Sequence, residues 1–278
     1  MGVEMVPQNS PDLLEAITAA TMYEVALREQ EYGMAELEKA AVEINPRGKA
    51  FRLNLTGESG FNVIAECKRR SPSRGVLCED YRAEVIARSY EHAGASAISV
   101  LTEPAFFGGD LRDLELVRLA VSLPVLQKEF IVSRYQLLEA RVRGADAVLL
   151  IVAALNDSTL RELHRTAAEY GLAVLVEVHN SEELLRAVDA GAEIIGVNNR
   201  NLRSLSVNLE ASHSLITEIP KAVVSVAESG LRDQRDLVSL KAVGYDAFLV
   251  GEALMSQEDP GQALTGFLKG AGGISGDG

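Results

Sequence analysis

Apolar and polar positions change their period once along this chain, and the change divides it. Between residues 11 and 43, Leu13, Leu14, Ile17, Met22, Val25, Ala26 and Leu37 recur at helical spacing with Glu and Arg between them. That pattern predicts one or two amphipathic helices broken near Gly33. Pro46-Arg47-Gly48 marks a loop, and Phe51 with Leu53 is expected to tether the segment to the body of the protein. From Phe61 onward, short Val/Ile/Leu-rich runs alternate with amphipathic stretches that close on glycine. The runs predict eight strands, near 62–67, 96–101, 124–129, 146–152, 172–178, 193–198, 222–228 and 246–250. Helices between them show recognisable ends: Tyr81 to His92 before Gly94, Ser133 capping a stretch that stops at Gly144, and Asp157 opening one that stops at Gly171. Asn180 with Glu183 resembles a capping box ahead of Gly191, and Leu231 to Val243 ends at Gly244. Repeated strand–helix units give a parallel sheet with right-handed crossovers. Eight of them favour a closed barrel, but a doubly wound open sheet has the same local pattern, and periodicity alone does not separate the two.

The first run, Val63-Ile-Ala-Glu-Cys-Lys-Arg-Arg-Ser-Pro-Ser-Arg-Gly75, ends in paired charges and then a proline turn. Strand alternation puts Glu66 and Lys68 on one face and Cys67 on the other. An unpaired ion at the end of a buried strand costs several kcal/mol, roughly, so stability alone would not place charges there. In a parallel barrel the site lies at the carboxyl ends of the strands. Polar residues collect there: Glu66 and Lys68 on the first strand, Lys128 after Leu126 on the third, Glu177 after Leu175 on the fifth, Asn198 and Arg200 on the sixth, Glu228-Ser229-Gly230 on the seventh and Gly251-Glu252 on the eighth. A solvated strand end explains any one of these; six together point to a site.

The chain has 278 residues and a formal charge of -13, which disfavours nucleic acid or an anionic membrane as partner. Lys68, Arg69, Arg70 and Arg74 crowd one loop of this acidic chain, giving local positive potential for an anionic small molecule. Cys67 and Cys78 make no disulfide framework and no zinc spacing, and a cytoplasmic protein is expected. The N-terminus shows no apolar leader pattern, and no stretch has the length of a membrane span. After the second strand, Thr102-Glu103-Pro104-Ala105-Phe106-Phe107-Gly108-Gly109 reads as a loop whose aromatic pair covers either an aromatic ligand or the barrel core. Gly230 and Gly251 stand where barrels place backbone N–H groups around a phosphate, with Glu252 to Met255 as a short helix. His92, His164, His179 and His213 show no ligand spacing and read as structural or exposed. No metal, serine-triad or nucleotide-binding motif is present.

Ala65-Glu-Cys-Lys-Arg-Arg-Ser-Pro-Ser73, Leu123-Pro-Val-Leu-Gln-Lys128 and Gly196-Val-Asn-Asn-Arg-Asn-Leu202 resemble the first, third and sixth strand signatures of the indole-3-glycerol-phosphate synthase family. Ala227-Glu-Ser-Gly230 and Phe248-Leu-Val-Gly-Glu-Ala-Leu-Met255 resemble its seventh and eighth, and the likeness runs over residues 11 to 268. It implies one (β/α)8 barrel, with a helical extension over 1–50 and a catalytic barrel over 51–270; residues 271–278 are glycine-rich and read as a flexible tail. Glu129, where the family most often has aspartate, is expected to face away from the site, as is Cys67.

The resemblance further implies conversion of 1-(2-carboxyphenylamino)-1-deoxyribulose 5-phosphate to indole-3-glycerol phosphate, with loss of carbon dioxide and water and without a cofactor or metal. By similarity Lys128 is the general acid and Glu177 the base, and Lys68 shares acid catalysis and anion binding. Glu66 and Asn198 orient these groups. Arg200 holds the anthranilate carboxylate, helped by Ser71, because a planar fork suits that group. Ser229, Gly230, Gly251 and the Glu252 N–H bind phosphate, Phe107 packs on the aromatic ring, and Glu228 and Leu249 complete the substrate contacts. A monomer is expected, with a dimer left open. The rivals are another phosphate-binding barrel, such as phosphoribosylanthranilate isomerase, which would rely on cysteine and aspartate, and a non-catalytic ligand-binding barrel.

Overall fold

The computed structural model describes residues 13–57, 60–201 and 205–269. The expected tail over 271–278 and the start of the extension lie outside the described residues. The apolar runs form β1 (Asn62–Cys67), β2 (Ala97–Leu101), β3 (Val125–Lys128), β4 (Ala147–Ile151), β5 (Ala173–Val178), β6 (Ile194–Asn198), β7 (Val224–Glu228) and β8 (Ala247–Val250). All are parallel and close in the order β1-β8-β7-β6-β5-β4-β3-β2. The choice that periodicity leaves open is thereby settled in favour of the (β/α)8 barrel.

Strand alternation sorts the core into two layers. Ile64, Leu126, Leu149, Leu175, Val226 and Leu249 fill the barrel interior, while Val63, Cys67, Val100, Val148 and Phe248 face the surrounding helices. The helix ends follow local chemistry. The Gln136 side chain accepts the Ser133 N–H at 3.2 Å, and the Asn180 side chain accepts from the Glu183 N–H. Asn156, not Asp157, caps the helix Asp157–Glu169, accepting from the Thr159 N–H. Gly94 and Gly244 close their helices at φ +99° and +116°, conformations that any side chain would strain.

The N-terminal segment wraps the barrel from its mouth to its floor. Helix α1 (Leu13–Glu31) lies at the mouth and buries Leu14 and Ile17 against the interior layer. Gly33 is the predicted break, and α2 (Met34–Ala41) sets Leu37 and Ala41 against Tyr135 and Leu138. Arg28 braces this contact with a 3.0 Å ion pair to buried Glu139. Nearer the floor, the Arg47 guanidinium and backbone N–H reach Asp146, which also takes Arg118 at 2.7 Å and the Val125 N–H. Helix α3 (Gly48–Asn54) then closes the amino-terminal end of the barrel. Phe51 and Leu55, one helical turn apart, are fully buried in the interior layer. Leu53 does not tether the segment as expected: it lies on the other side of the helix and is 69% exposed.

This packing sets an expected outcome. Phe51→Ala should lower the unfolding free energy by about 3–5 kcal/mol, whereas Leu53→Ala should stay within about 0.5 kcal/mol, as read from urea titrations of both variants.

Candidate active site

The side chains at the carboxyl ends of the strands meet in a cavity of about 560 Å³. Every site residue named from the sequence lines it. At its base, Lys128 reaches across the barrel from β3. Its Nζ lies 3.2 Å from Glu177 Oε2 on β5 and 3.2 Å from Glu228 Oε2 on β7. On the neighbouring wall, Lys68 Nζ sits 2.6 Å from Glu66 Oε1. As the alternation requires, Cys67 points away and is buried in the outer layer.

These carboxylates have room because two inward positions lack side chains. A Cβ on Gly196 of β6 would overlap the Glu228 carboxylate, and one on Gly251, after β8, would overlap that of Glu66. Burial is close to complete for Glu66, Glu177 and Glu228. Among the described residues Glu228 Oε1 and Glu177 Oε1 are buried without a hydrogen-bond partner, and Glu228 Oε2 has only the Lys128 ammonium, so acceptor capacity remains for a ligand.

Burial opposes a charge on Lys128, but Glu228, Glu177 and Glu66 outweigh it and hold the ammonium well above the ordinary lysine range. The two carboxylates beside it differ although both are equally near. Burial pushes the Glu177 carboxyl up, yet Lys128, His179 and the Asn198 amide more than offset this, and it lies below the usual range. Burial pushes Glu228 up to about 7, with Lys128 pulling down and the Glu177 charge adding to the rise. Lys128 lowers both, so the asymmetry comes from their other neighbours: Glu177 also has His179 and the Asn198 amide, whereas Glu228 faces the charges of Glu177 and Glu66. At neutral pH the base of the cavity therefore holds an ionised carboxylate against a protonated amine.

The rim is basic and partly self-occupied. After Lys68 the chain folds into a short antiparallel hairpin, Arg70–Ser71 with Gly75–Val76. It brings Ser71, Ser73 and Arg74 to the cavity, whereas Arg69 and Arg70 are exposed and outside its lining. Arg200 donates to Ser73 Oγ at 3.1 Å and pairs with Glu252 Oε2 at 3.0 Å, and Arg74 pairs with Glu252 Oε1 at 3.3 Å. The fork expected to hold a ligand carboxylate thus holds a protein one. Ser229 and Gly230 follow each other with φ of +64° and +78°. For Ser229 this is a strained conformation, and it sits on the cavity wall.

Four features were not anticipated. Residues Pro104–Phe107 form a helical turn rather than a loop, because the Glu103 carboxylate accepts the N–H groups of Ala105, Phe106 and Phe107 at 2.8 to 3.0 Å. That turn sets Phe107, and not Phe106, on the cavity wall, with its ring 6.1 Å from that of Phe130. Leu13 and Ile17 of α1 line the cavity too, so the extension contributes to the site. Glu129, expected to face away, is buried, accepts from Thr102 Oγ1 at 2.8 Å and reaches the cavity edge. His179, read as structural or exposed, stands 3.6 Å from Glu177 Oε1.

Fold and cavity define the class: a (β/α)8 barrel with its polar cavity where enzymes of this architecture work. Comparison with known proteins narrows it. The model of the family described as indole-3-glycerol phosphate synthase matches residues 14–267. The chain is 45% identical over 254 residues to the indole-3-glycerol phosphate synthase of Sulfurimonas denitrificans, covering 91% of this chain and 97% of that one. It is 48% identical over 250 residues to that of a Parafrankia species, covering 90% and 92%. Among solved structures, a thiamine phosphate pyrophosphorylase from Pyrococcus furiosus superposes with a TM-score of 0.58 at 19% identity, over 78% of this chain and 95% of that one, a likeness of fold alone. The chain belongs to the indole-3-glycerol phosphate synthase family, enzymes of tryptophan biosynthesis.

The buried carboxyls give a pH signature. Burial pushes Glu129 up to about 7, and Glu228 is raised as well. Between about 4.5 and 7 the folded chain holds these protons while the unfolded chain has released them, so stability falls as pH rises through that window. His179 acts in the same direction: burial lowers it, but Glu183 and Glu177 raise it above the ordinary histidine range, and its contribution is lost as it deprotonates. Glu129→Gln should flatten the lower part of the curve, recovering on the order of 1–3 kcal/mol at neutral pH, measured as the urea midpoint against pH.

Proposed function

We propose that this chain is an indole-3-glycerol phosphate synthase acting as a carboxy-lyase, closing the indole ring of 1-(2-carboxyphenylamino)-1-deoxyribulose 5-phosphate with loss of carbon dioxide and water. The observation that carries the assignment of roles is Lys128 held between Glu177 and Glu228 at the base of the cavity. Ring closure puts developing negative charge on the ribulose carbonyl oxygen. An ammonium with a raised pKa is a weak acid toward a neutral carbonyl, so its first contribution is electrostatic. Its proton is transferred once the oxygen has become alkoxide-like.

The bond to the anthranilate carboxyl then breaks, carbon dioxide leaves, and the electron pair restores the aromatic ring. Dehydration needs an acid at the new hydroxyl and a base for the adjacent proton. Lys68, paired with Glu66, stands on the wall that serves the hydroxyl, and Glu177 is the ionised base. Asn198 and Glu66 orient these groups. Arg200, with Ser71 nearby, takes the carboxylate, exchanging Glu252 for the substrate. The phosphate binds at Ser229, Gly230, Gly251 and the Glu252 N–H beside Leu249, and the anthranilate ring packs on Phe107.

The chain contains no tryptophan, so product indole fluorescence rises against a dark background. Purified protein given the carboxyphenylamino substrate should generate that signal, and folded protein that produces none would refute the assignment. Lys128→Ala should reduce kcat by about 10²-fold or more while its circular dichroism stays that of the parent. Full activity in that variant would remove Lys128 from the role of acid.

A further inference from the structure

The barrel base does not end at Glu177. His179, two residues on and in the same strand phase, presents Nε2 3.6 Å from Glu177 Oε1. Both atoms are buried, and neither makes a hydrogen bond among the described residues. On its other side His179 Nδ1 meets Glu183 Oε2 at 3.0 Å. Glu183 is fixed in turn: it accepts the His179 backbone N–H at 2.8 Å and the Asn180 amide at 2.9 Å, in the first turn of the helix Ser181–Asp189. The series Glu177, His179, Glu183 runs from the closed end of the cavity to a carboxylate with 15% of its side chain in solvent.

We propose that His179 and Glu183 form the path by which a solvent proton reaches Glu177 in each turnover, with His179 a positioning residue that acts through Glu177. The inference rests on the activity proposed above, whose balance requires it. The substrate carboxylate leaves as neutral carbon dioxide with its electron pair returned to the ring. Protonating the carbonyl oxygen and then the departing hydroxyl consumes two protons, and the base recovers one from the ring carbon. One proton per turnover must come from outside. Glu183 takes it from water and passes it to Nδ1, while Nε2–H is given to Glu177 Oε1. Once ring closure has taken the Lys128 proton, the Glu177 carboxyl turns and re-protonates Lys128 across their 3.2 Å contact. Glu177 is then ionised again to take the ring proton, which offsets the one Lys68 gives to the departing hydroxyl.

The charges around the imidazole favour loading it with a proton, and once Lys128 has given up its own proton Glu177 loses the neighbour that most holds its carboxyl down, which draws the proton onward. Glu183 and Glu177 face it directly, Glu228 acts from across the barrel, and together they raise its pKa against the effect of burial. Lys128 and Asn198 act on Glu177, on the far side of that carboxylate. A histidine that merely pinned the strand-to-helix turn would need its backbone N–H and Nδ1, but not an Nε2 aimed at an unpartnered carboxylate oxygen.

The test is chemical rescue. His179→Ala should lower kcat about tenfold or more with KM little changed, and should displace the neutral-range pH profile of kcat. Added imidazole, a small weak acid that fits the vacated volume, should restore turnover in proportion to its concentration. Glu183→Gln, which keeps the local fold, should reduce kcat in the same sense. Parent kcat and pH profile in both variants, or a loss in folded His179→Ala that imidazole does not repair, would overturn the relay. Indole formation by the unsubstituted protein, run alongside, separates that result from failure of the enzymatic assignment.

Discussion

Three buried carboxylates and two lysines share the base of the cavity at the carboxyl ends of the strands, and the rest of the site is built around holding them together. Placed singly in such a setting, any of them would neutralise or unfold the chain around it. Lys68 with Glu66, and Lys128 between Glu177 and Glu228, spread the cost over contacts of 2.6 to 3.2 Å. The balance is incomplete, since one carboxylate more than the amines can serve leaves Glu228 raised and oxygen atoms unbonded. A substrate that brings a carbonyl or hydroxyl into the space completes what the protein leaves open. Rigidity matters accordingly: five groups from four strands hold their distances because each strand is locked on both sides in the closed sheet.

Much of this was legible in the sequence, for a reason particular to barrels. A strand buried on both faces is a short apolar run, and its helix supplies caps and a closing glycine, so element order can be read in one dimension. Phase is equally local: once Leu126 and Leu175 are taken as inward, Lys128 and Glu177 must be inward too. What could not be read is what lies opposite. Helical periodicity gave α1 an apolar stripe, but nothing in the stripe says that Leu13 and Ile17 border the mouth of the barrel. The same limit hid the pairing of Arg200 with Glu252, fifty-two positions apart. Leu53 faces out and Leu55 in because a helix begins at Gly48, which puts Leu55 on the same side as Phe51. His179 was passed over because its partners are carboxylates, and spacing rules for histidine look for metal ligands.

The acidic chain and its anionic ligand are reconciled by geometry. Net charge acts at a distance and is screened within about 8–10 Å at ordinary ionic strength, whereas Lys68, Arg74 and Arg200 act at the cavity itself. Glu252 holds the two arginines in place until a ligand arrives. The pairing holds both guanidinium groups at the rim, and any anion approaching them would have to compete with that carboxylate.

Gly196 and Gly251 bear on how such a site can change over generations. Each is empty so that a glutamate from a neighbouring strand can occupy its volume. Neither glycine is therefore free to vary alone, and neither is its glutamate free to lengthen or branch. A lineage altering the chemistry here would have to pass through paired replacements, alanine at the glycine together with a shorter acid opposite. Drift along the inner face is thus correlated across strands, and libraries that vary one position at a time would record as immutable two sites that are only bound to partners.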